Sequence, residues 1–233
     1  MINDCFQIVE DITHKNMFTI KFYTPNKVLV NSLIKTSIIN GAIVSQDYKT
    51  IRFKANSVRQ YDKKIKKNIN INDSVRLLTC LTNQLNYLIT HESYSFIGYN
   101  LKYLIIIDDN KFVFLGSELL KEIINDTLLI SSPFSPNDFF VSPELLKIKE
   151  IPTYIHYKTT YFSLAILLLF FLSSNEEIYN EYFLKYKDTS KIKEPILILN
   201  KYLQSLPIKN TKLFWLLSRC LVEEPKERNI LYI

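Results

Sequence analysis

The sequence contains little glycine, cysteine and histidine, each of which occurs three times in 233 residues. Cys5, Cys80 and Cys220 are widely spaced and form no Cys-x-x-Cys pair, which argues against a zinc site and against a disulfide framework. The histidines are equally scattered, and none has a ligand partner at helical spacing, so we predict no metal site. Reduced thiols are typical of a cytoplasmic protein, which is the location we expect.

The sequence also lacks a long apolar segment. Residues 1–12 carry acidic side chains and no apolar core, so we expect no signal peptide here. The most membrane-like stretch is Tyr161–Leu172. As a helix it would span about 18 Å, which is too short for a hydrocarbon layer of roughly 30 Å. We therefore predict a helix buried inside a protein core, and no membrane partner.

Charge is present but not concentrated. The apolar fraction of 47% and the charged fraction of 22% are ordinary for a soluble globular protein, and the net charge is +6. The one dense basic run, Tyr61–Asn68, contains a single isoleucine among its lysines, which is typical of an exposed linker. A nucleic-acid interface would show a basic stripe with interleaved aromatic residues, so we predict no nucleic-acid partner.

The first 60 residues have the pattern of strands. Met17–Thr24 alternates as one strand, and Gly41–Ala55 reads as two strands around the polar turn Ser45–Lys49. The segment Pro25–Asn40 is ambiguous, because its proline could open a helix whereas its β-branched residues favour a strand. The basic run that follows marks a plausible domain boundary.

The rest of the chain is mainly helical. Apolar residues from Val75 to Ile89 recur at helical spacing, with Asn72 or Asp73 as the expected N-cap. Two further helices are predicted near the carboxyl end. Strands followed by helices indicate an α+β fold.

Four segments of the second half resemble the large lobe of protein kinases. Ser142-Pro143-Glu144 is similar to the Ala-Pro-Glu that ends the kinase activation segment, and Thr160–Ala165 is similar to the start of the buried central helix. Leu216–Arg228 is similar to a late helix with its Pro-x-x-Arg end, and Gln84–Lys102 is similar to the helix and loop that carry the catalytic aspartate. The resemblance covers residues 73–233 and fits the first 70 poorly.

The resemblance implies a two-lobe kinase-like fold. Residues 1–60 would form a reduced, β-rich N-lobe, and residues 61–233 a mainly helical C-lobe. It also implies that Glu144 pairs with Arg228 through two parallel hydrogen bonds. Removing one partner of such a buried pair would cost on the order of 3–5 kcal/mol.

The resemblance also allows the catalytic positions to be compared with this sequence. Kinases need a catalytic aspartate, a metal-binding asparagine and a metal-binding aspartate. The resemblance puts Asn100, Ile105 and Gly116 at or near those positions. An amide, an alkyl group and a glycine cannot supply the base or the metal ligands. Glu118 is the one acid within reach, and a single shifted carboxylate is a poor substitute for a magnesium site.

The nucleotide-binding positions are equally altered. Lys21 resembles the kinase strand lysine, but no acidic residue lies between Thr24 and Gln46 to pair with it. All glycines lie after residue 40, so no glycine-rich loop precedes Lys21. Thr160 stands where kinases have an aspartate that anchors the catalytic loop. We expect no cofactor, with ATP and magnesium kept as the less favoured alternative.

Asp108-Asp109-Asn110-Lys111 lies between two apolar runs, Tyr103–Ile107 and Phe112–Leu115. Adjacent acids suggest a metal loop, but Asp and Asn also favour turns. We predict a β-hairpin turn.

The leading hypothesis is a degenerate, catalytically inactive kinase-like domain, a pseudokinase that acts by binding a protein, for example a kinase or a host protein. One alternative is a divergent active or nucleotide-binding Ser/Thr protein kinase. Another is a structural interaction protein unrelated to kinases. A shortened kinase-like chain with many residues of AT-rich codons is similar to proteins of large DNA viruses, which implies host cytoplasm or a virion as its location.

Overall fold

The computed structural model describes residues 5–39, 41–61, 71–134, 140–172 and 193–230. These residues form a mixed α+β structure with antiparallel sheets, as the segment pattern predicted. The chain divides into two compact units. Unit 1 combines the described residues up to 61 with 75–96 and 100–121, and unit 2 combines 71–74, 97–99 and the described residues from 122 onward.

Unit 1 begins with a four-stranded antiparallel sheet in the order β1-β2-β4-β3. Its strands are β1 (Phe6–Glu10), β2 (Met17–Phe22), β3 (Ile43–Val44) and β4 (Thr50–Lys54). The alternating pattern of β2 buries Phe18, Ile20 and Phe22 and leaves Lys21 exposed. This confirms the predicted strand and the two strands around the turn.

The ambiguous segment after β2 is a helix, α1 (Lys27–Lys35). Asn26 caps it, because its side-chain oxygen accepts a hydrogen bond of 2.9 Å from the backbone N–H of Leu29. Leu29, Val30 and Leu33 are buried. A good N-cap and one apolar helical face therefore outweigh the β-branched residues.

The second sheet of unit 1 has the order β5-β7-β8. Unit 1 also contains the larger part of a long helix, a π-helical turn and a short strand. The elements are β5 (Val58–Gln60), α2 (Ile71–Tyr87), the π-helix Leu88–Glu92, β6 (Tyr94–Phe96), β7 (Leu104–Ile107) and β8 (Lys111–Phe114). The predicted apolar stripe of α2 is confirmed by the burial of Leu77, Leu78, Leu81 and Leu85. Because the described helix already includes Ile71, Asn72 and Asp73 lie in its first turn and are not its N-cap.

The turn between β7 and β8 confirms the hairpin prediction. Asp108 and Asp109 both have positive φ, at 51° and 58°, as tight hairpin turns require. The Asp108 carboxylate accepts hydrogen bonds from the backbone N–H groups of Asn56 and Ser57 at 2.6 and 3.1 Å. Asp109 forms an ion pair of 3.0 Å with Arg59. These acids therefore hold the turn against the segment that leads into β5.

The described part of unit 2 contains three antiparallel strands and four complete α-helices. They are β9 (Leu120–Ile124), which begins in unit 1, β10 (Thr127–Ile130), α3 (Pro143–Leu146), β11 (Thr153–His156), α4 (Thr159–Leu172), α5 (Lys193–Ser205) and α6 (Lys212–Cys220). Every residue of α4 from Thr159 to Phe171 is buried, which confirms the predicted buried helix. Among the described residues, no helix has the length and apolarity needed to cross a membrane.

The boundary between the units differs from the division expected at residues 60 and 61. Val58, Arg59 and Gln60 of β5 pair with Ile107, Ile106 and Ile105 of β7. This pairing brings residues 100–121 into the first unit, and the local sequence pattern does not reveal it. Of the basic run, only Tyr61 is among the described residues, and it is buried.

Candidate functional site

Asn100 serves as a cap for a short turn. Its side-chain oxygen accepts a hydrogen bond of 2.9 Å from the N–H of Lys102, at the start of the 3-10 helix Leu101–Tyr103. The N–H of Tyr103 donates to the backbone oxygen of Asn100 at 3.0 Å. An amide that accepts from its own backbone two residues on is a common turn device. The position thus has a local structural role that needs no carboxylate.

Ile105 lies in the middle of β7 and is fully buried. It pairs with Val113 of β8 on one side and with Gln60 of β5 on the other. All four residues of β7 are buried, so this strand is part of the hydrophobic core of unit 1. The Ile105 side chain packs in the hydrophobic core of unit 1, and its alkyl group offers no ligand atom.

Gly116 is packed against two aromatic rings. A Cβ atom added there would lie 2.7 Å from the Phe114 ring and 3.0 Å from the Tyr103 ring. Phe114 also makes edge-to-face contacts with Phe96 and Tyr103, at centroid distances of 4.9 and 6.1 Å. Gly116 has a φ of −73°, so its backbone does not require glycine. Close packing is what excludes a side chain.

Glu118 accepts hydrogen bonds from neighbouring side chains of unit 1. The Tyr103 hydroxyl makes a short hydrogen bond to its carboxylate, and the Cys5 thiol lies 3.4 Å from the other oxygen. The ammonium group of Lys102 lies 3.7 Å from the carboxylate and 4.6 Å from the centre of the Tyr103 ring. The four side chains Cys5, Lys102, Tyr103 and Glu118 are called the Glu118 cluster below.

Within the Glu118 cluster, Tyr103 and Cys5 are favoured in their protonated forms. Burial, followed by the hydrogen bond to Glu118, raises the pKa of Tyr103 above its ordinary value. Burial also raises the pKa of the Cys5 thiol. A thiol with a raised pKa is a weak nucleophile, so Cys5 is not an activated cysteine. The arrangement holds a carboxylate by hydrogen bonds and supplies no reactive group of its own.

Sequence reasoning singled out Glu118 and Lys102 but missed Tyr103 and Cys5 beside them. Leu104 pairs with Phe114 at the open end of the β7–β8 hairpin, and the N–H of Leu115 donates to the Tyr103 oxygen at 2.9 Å. Extending the register of the predicted hairpin would have placed position 103 beside position 115. That register is the signal that could have identified Tyr103.

Gln84 is a second residue that sequence reasoning missed. Its amide donates to the backbone oxygen of Phe114 at 2.9 Å and accepts from the N–H of Phe114 at 3.2 Å. Gln84 is 1% exposed. It thereby satisfies both backbone groups of Phe114, which occupies an edge strand of the β5-β7-β8 sheet.

Lys21 has an exposed side chain on the face of β2 opposite to the buried Ile20 and Phe22. Within the described part of the chain it forms no ion pair and contacts no residue of the Glu118 cluster by hydrogen bond. Its neighbours across the sheet are Gln7 and Thr50. Lys21 is therefore an exposed strand lysine.

The predicted pair of Glu144 with Arg228 is confirmed in unit 2. The two guanidinium Nη atoms donate to the two carboxylate oxygens at 2.5 and 2.9 Å. Arg228 is fully buried and the Glu144 side chain is 17% exposed. The pair is therefore bidentate, with its positive partner removed from water.

The rest of the Arg228 guanidinium is also satisfied. Its Nε donates to the Val222 oxygen at 3.0 Å, and Nη2 donates to the Glu223 oxygen at 2.9 Å. The guanidinium carbon lies 4.8 Å from the centre of the Phe162 ring, on α4. Arg228 therefore connects α3, the segment after α6 and the buried helix α4.

Thr160 is fully buried at the start of α4. The Thr160 hydroxyl has no hydrogen-bond partner within the described chain, and burial raises the pKa of Tyr99. Tyr99 also pairs with Phe140 as an isolated antiparallel bridge. Thr160 is therefore a buried, neutral residue that supplies no hydrogen-bonded anchor within the described chain.

Among the described residues, no three His, Cys, Asp or Glu side chains lie together as a possible metal-binding group. No model of a protein family matches the chain, and no curated protein sequence matches it at a significant level. A function for this chain therefore has to be argued from its own residues and geometry.

Proposed function

We propose that the chain is a protein kinase-like domain that lacks phosphotransferase activity and acts by binding another protein. The observation that carries the proposal is the buried pair of Glu144 and Arg228, set against the buried helix α4. The kinase resemblance led to this pair, whose residues are separated by 84 positions. Two unrelated charges would have no reason to meet in a bidentate, buried arrangement.

The buried helix α4 supports the same proposal. The resemblance assigns its early residues to the start of the buried central helix of the large lobe, and every residue from Thr159 to Phe171 is buried. In this reading unit 2 contains the scaffold of the helical lobe. The β1–β4 sheet and α1 belong to a reduced N-lobe. The proposal also assigns residues 100–121 to this lobe, because they belong to unit 1.

The residues at the proposed catalytic positions do not fit a magnesium–nucleotide site. The Asn100 oxygen is used by a backbone N–H, and Ile105 lies buried in a strand. Glu118 accepts a hydrogen bond from Tyr103, and Lys21 has no acidic partner in the described chain. Magnesium needs several hard oxygen ligands in regular geometry, which this set does not offer. No phosphoryl-transfer step is therefore assigned to the chain.

The proposal is tested by a phosphotransfer assay with ATP and either magnesium or manganese, together with thermal unfolding in the presence of nucleotide. We expect no phosphate transfer to itself or to general protein substrates, and no change of the melting temperature. Turnover that disappears in Asn100→Ala or Glu118→Gln would overturn the proposal. Asp109→Asn, which changes an acid in the hairpin turn, is the matched control for loss of charge.

Nucleotide binding without transfer is the second candidate. It is favoured by one observation: the Glu118 side chain is 46% exposed beside Lys102, so a charged pair remains accessible to a ligand. Stabilisation by ATP that is lost in Lys102→Met, with no phosphate transfer, would select this candidate over the first.

The proposed setting is the cytoplasm of a cell, including that of a virus-infected host. All three cysteines are free, and Cys220 is buried with its pKa raised to about 12 by burial. Thiols that are not joined in disulfides are typical of reducing compartments. The proposed partner is a protein, for which a kinase or a host protein is the class that the resemblance suggests.

A further inference from the structure

His156, the last residue of β11, accepts a hydrogen bond that only its neutral form can make. Its ring atom Nδ1 lies 3.2 Å from the backbone nitrogen of Lys158. A backbone N–H can only donate, so Nδ1 carries a lone pair and the proton of the neutral ring is on Nε2. Protonation of the ring uses up this lone pair. The hydrogen bond to Lys158 is therefore lost whenever His156 becomes charged.

This hydrogen bond lies at the start of α4. The first N–H groups of a helix have no partner inside the helix, and Lys158 directly precedes the first residue of α4. The helix continues from the same residue, because the N–H of Tyr161 donates to the Lys158 oxygen at 3.1 Å. The His156 ring thus satisfies a backbone group at the corner between β11 and α4.

Lys158 also joins this corner to the segment after α6. Its ammonium group donates to the backbone oxygen of Lys226 at 2.9 Å, and its own backbone oxygen lies 3.5 Å from Nη1 of Arg228. Arg228 is the buried partner of Glu144. The residue whose N–H is held by His156 is therefore the same residue that contacts the segment carrying the buried ion pair.

The surroundings of His156 disfavour a positive charge. The ionisable groups that face it are Asp126 before β10, Tyr157 and Lys158 of the corner, and Lys226 and Arg228 of the segment after α6. Burial is the largest influence and lowers the pKa of His156, and the three cations lower it further. The carboxylate of Asp126 opposes them. The positive end of the α4 dipole acts in the same direction as the cations.

The lowered pKa fixes the direction of the pH dependence. An unfolded chain binds a proton at His156 near the ordinary value of about 6.5, whereas the folded chain binds it only at lower pH. The stability that comes from the neutral ring is fully present above about pH 6.5 and is lost as the pH falls toward the folded pKa. Each unit of difference between the two pKa values changes the ratio of folded to unfolded protein about tenfold.

We propose that His156 and Lys158 form an acid-sensitive latch in unit 2. With His156 neutral, the latch holds the start of α4 beside residues 222–228. Protonation of His156 breaks its bond to Lys158, repels Lys158 and Lys226, and releases this corner. The latch is closed at neutral pH and opens under acidic conditions. It goes beyond the proposed function and does not depend on it.

A nuclear magnetic resonance titration between about pH 8 and 5 tests the latch directly. We expect the His156 ring to titrate below the ordinary value of about 6.5. The amide signal of Lys158 should shift with the same midpoint, and its hydrogen exchange should accelerate beyond the ordinary effect of pH as the ring becomes charged. A His156 ring that titrates at or above about 6.5 overturns the proposal. So does a Lys158 amide that does not follow the ring.

Two substitutions separate the acceptor from the charge. His156→Asn keeps a side-chain oxygen close to the position of Nδ1 but cannot titrate, whereas His156→Phe keeps a ring without an acceptor. We expect the Lys158 amide to stay protected from exchange in His156→Asn and to lose protection at every pH in His156→Phe. Equal protection of this amide in wild type and His156→Phe would contradict the latch.

Urea unfolding followed by Trp215 fluorescence measures the pH dependence of unit 2, because Trp215 lies on α6. Between about pH 7 and 5, wild type should lose stability by the tenfold factor per pKa unit given above, and His156→Asn should lose much less. His91→Asn is the matched control, since it removes an exposed histidine from unit 1 and should keep the wild-type pH dependence. The same pH dependence in wild type and His156→Asn overturns the proposal.

Discussion

Two carboxylates in this molecule illustrate two different uses of charge. In unit 2, Glu144 is 17% exposed and meets a fully buried arginine through two parallel hydrogen bonds. In unit 1, Glu118 is 46% exposed and is held by a tyrosine, a thiol and a lysine at 3.7 Å. Glu144 neutralises an arginine charge that has no access to water, whereas Glu118 itself remains accessible to water.

The difference predicts unequal consequences for stability. Removing one partner of a buried pair leaves an uncompensated charge in the interior, which is much more costly than the pair itself is stabilising. Removing one partner of an exposed pair leaves a group that water can solvate, and typical losses are below about 1 kcal/mol. The Glu144–Arg228 pair thus contributes mainly to stability, and the segment that contains Ile105 and Gly116 contributes mainly to packing.

The largest expected effect is that of Glu144→Gln. It leaves Arg228 charged and buried, so we expect unit 2 to lose about 3–5 kcal/mol of unfolding free energy. Trp215, the single tryptophan of the chain, lies on α6 and reports urea unfolding of unit 2 by fluorescence. Lys147→Met is the control, because Lys147 and Glu223 form an exposed pair of 3.7 Å and its loss should cost less than about 1 kcal/mol. Equal effects of the two variants would contradict the comparison.

Gly116→Ala tests whether the segment around Gly116 contributes mainly to packing. The added methyl group would overlap the Phe114 and Tyr103 rings, so we expect a loss of about 1–3 kcal/mol in unit 1. Circular dichroism during thermal unfolding measures it, and Trp215 fluorescence should show little change. Gly41→Ala is the matched control: no atom lies within 4 Å of its added Cβ, so any cost there comes from its φ of +63°. If Gly116→Ala leaves the stability unchanged, the Phe114 and Tyr103 rings can shift to accommodate the added methyl group.

Features set by local pattern could be predicted from the sequence. Alternation predicted β2, two aspartates predicted the β7–β8 turn, and an unbroken apolar run predicted the burial of α4. The pair of Glu144 with Arg228 was predicted because both residues belong to recognisable short motifs. For β2, the turn and α4 a few neighbouring residues determine the outcome, whereas the pair spans 84 positions and was expected only from the kinase resemblance.

Strand pairing between distant segments could not be predicted from the sequence. The placement of residues 100–121 in unit 1 follows from the pairing of β5 with β7, and no local pattern encodes it. The Glu118 cluster depends on the hairpin register together with Cys5, which lies 113 residues from Glu118. Pro25–Asn40 stayed ambiguous because helix and strand preferences conflict there, and the Asn26 cap favours the observed helix.

Tyr103→Phe probes the Glu118 cluster through pH. The pKa of Tyr103 is raised in the folded protein by burial and by Glu118, so its neutral form is favoured there. The resulting stability is fully present below the ordinary tyrosine pKa of about 10 and is lost as the pH rises beyond it. We expect Tyr103→Phe to cost about 0.5–1.5 kcal/mol at neutral pH and to lose less stability than wild type above about pH 10. Urea unfolding between pH 7 and about 10.5 measures both.

The smallest effect is expected for Lys21→Met, which tests the role of the one lysine that resembles a nucleotide-binding residue. Lys21 is exposed on β2 and has no acidic partner in the described chain, so its replacement should change the unfolding free energy by less than about 0.5 kcal/mol. It should also leave the melting temperature insensitive to ATP, as in wild type. Lys54→Met, an exposed lysine on the neighbouring β4, is the control. If ATP raises the melting temperature of wild type and of Lys54→Met but not of Lys21→Met, Lys21 takes part in nucleotide binding.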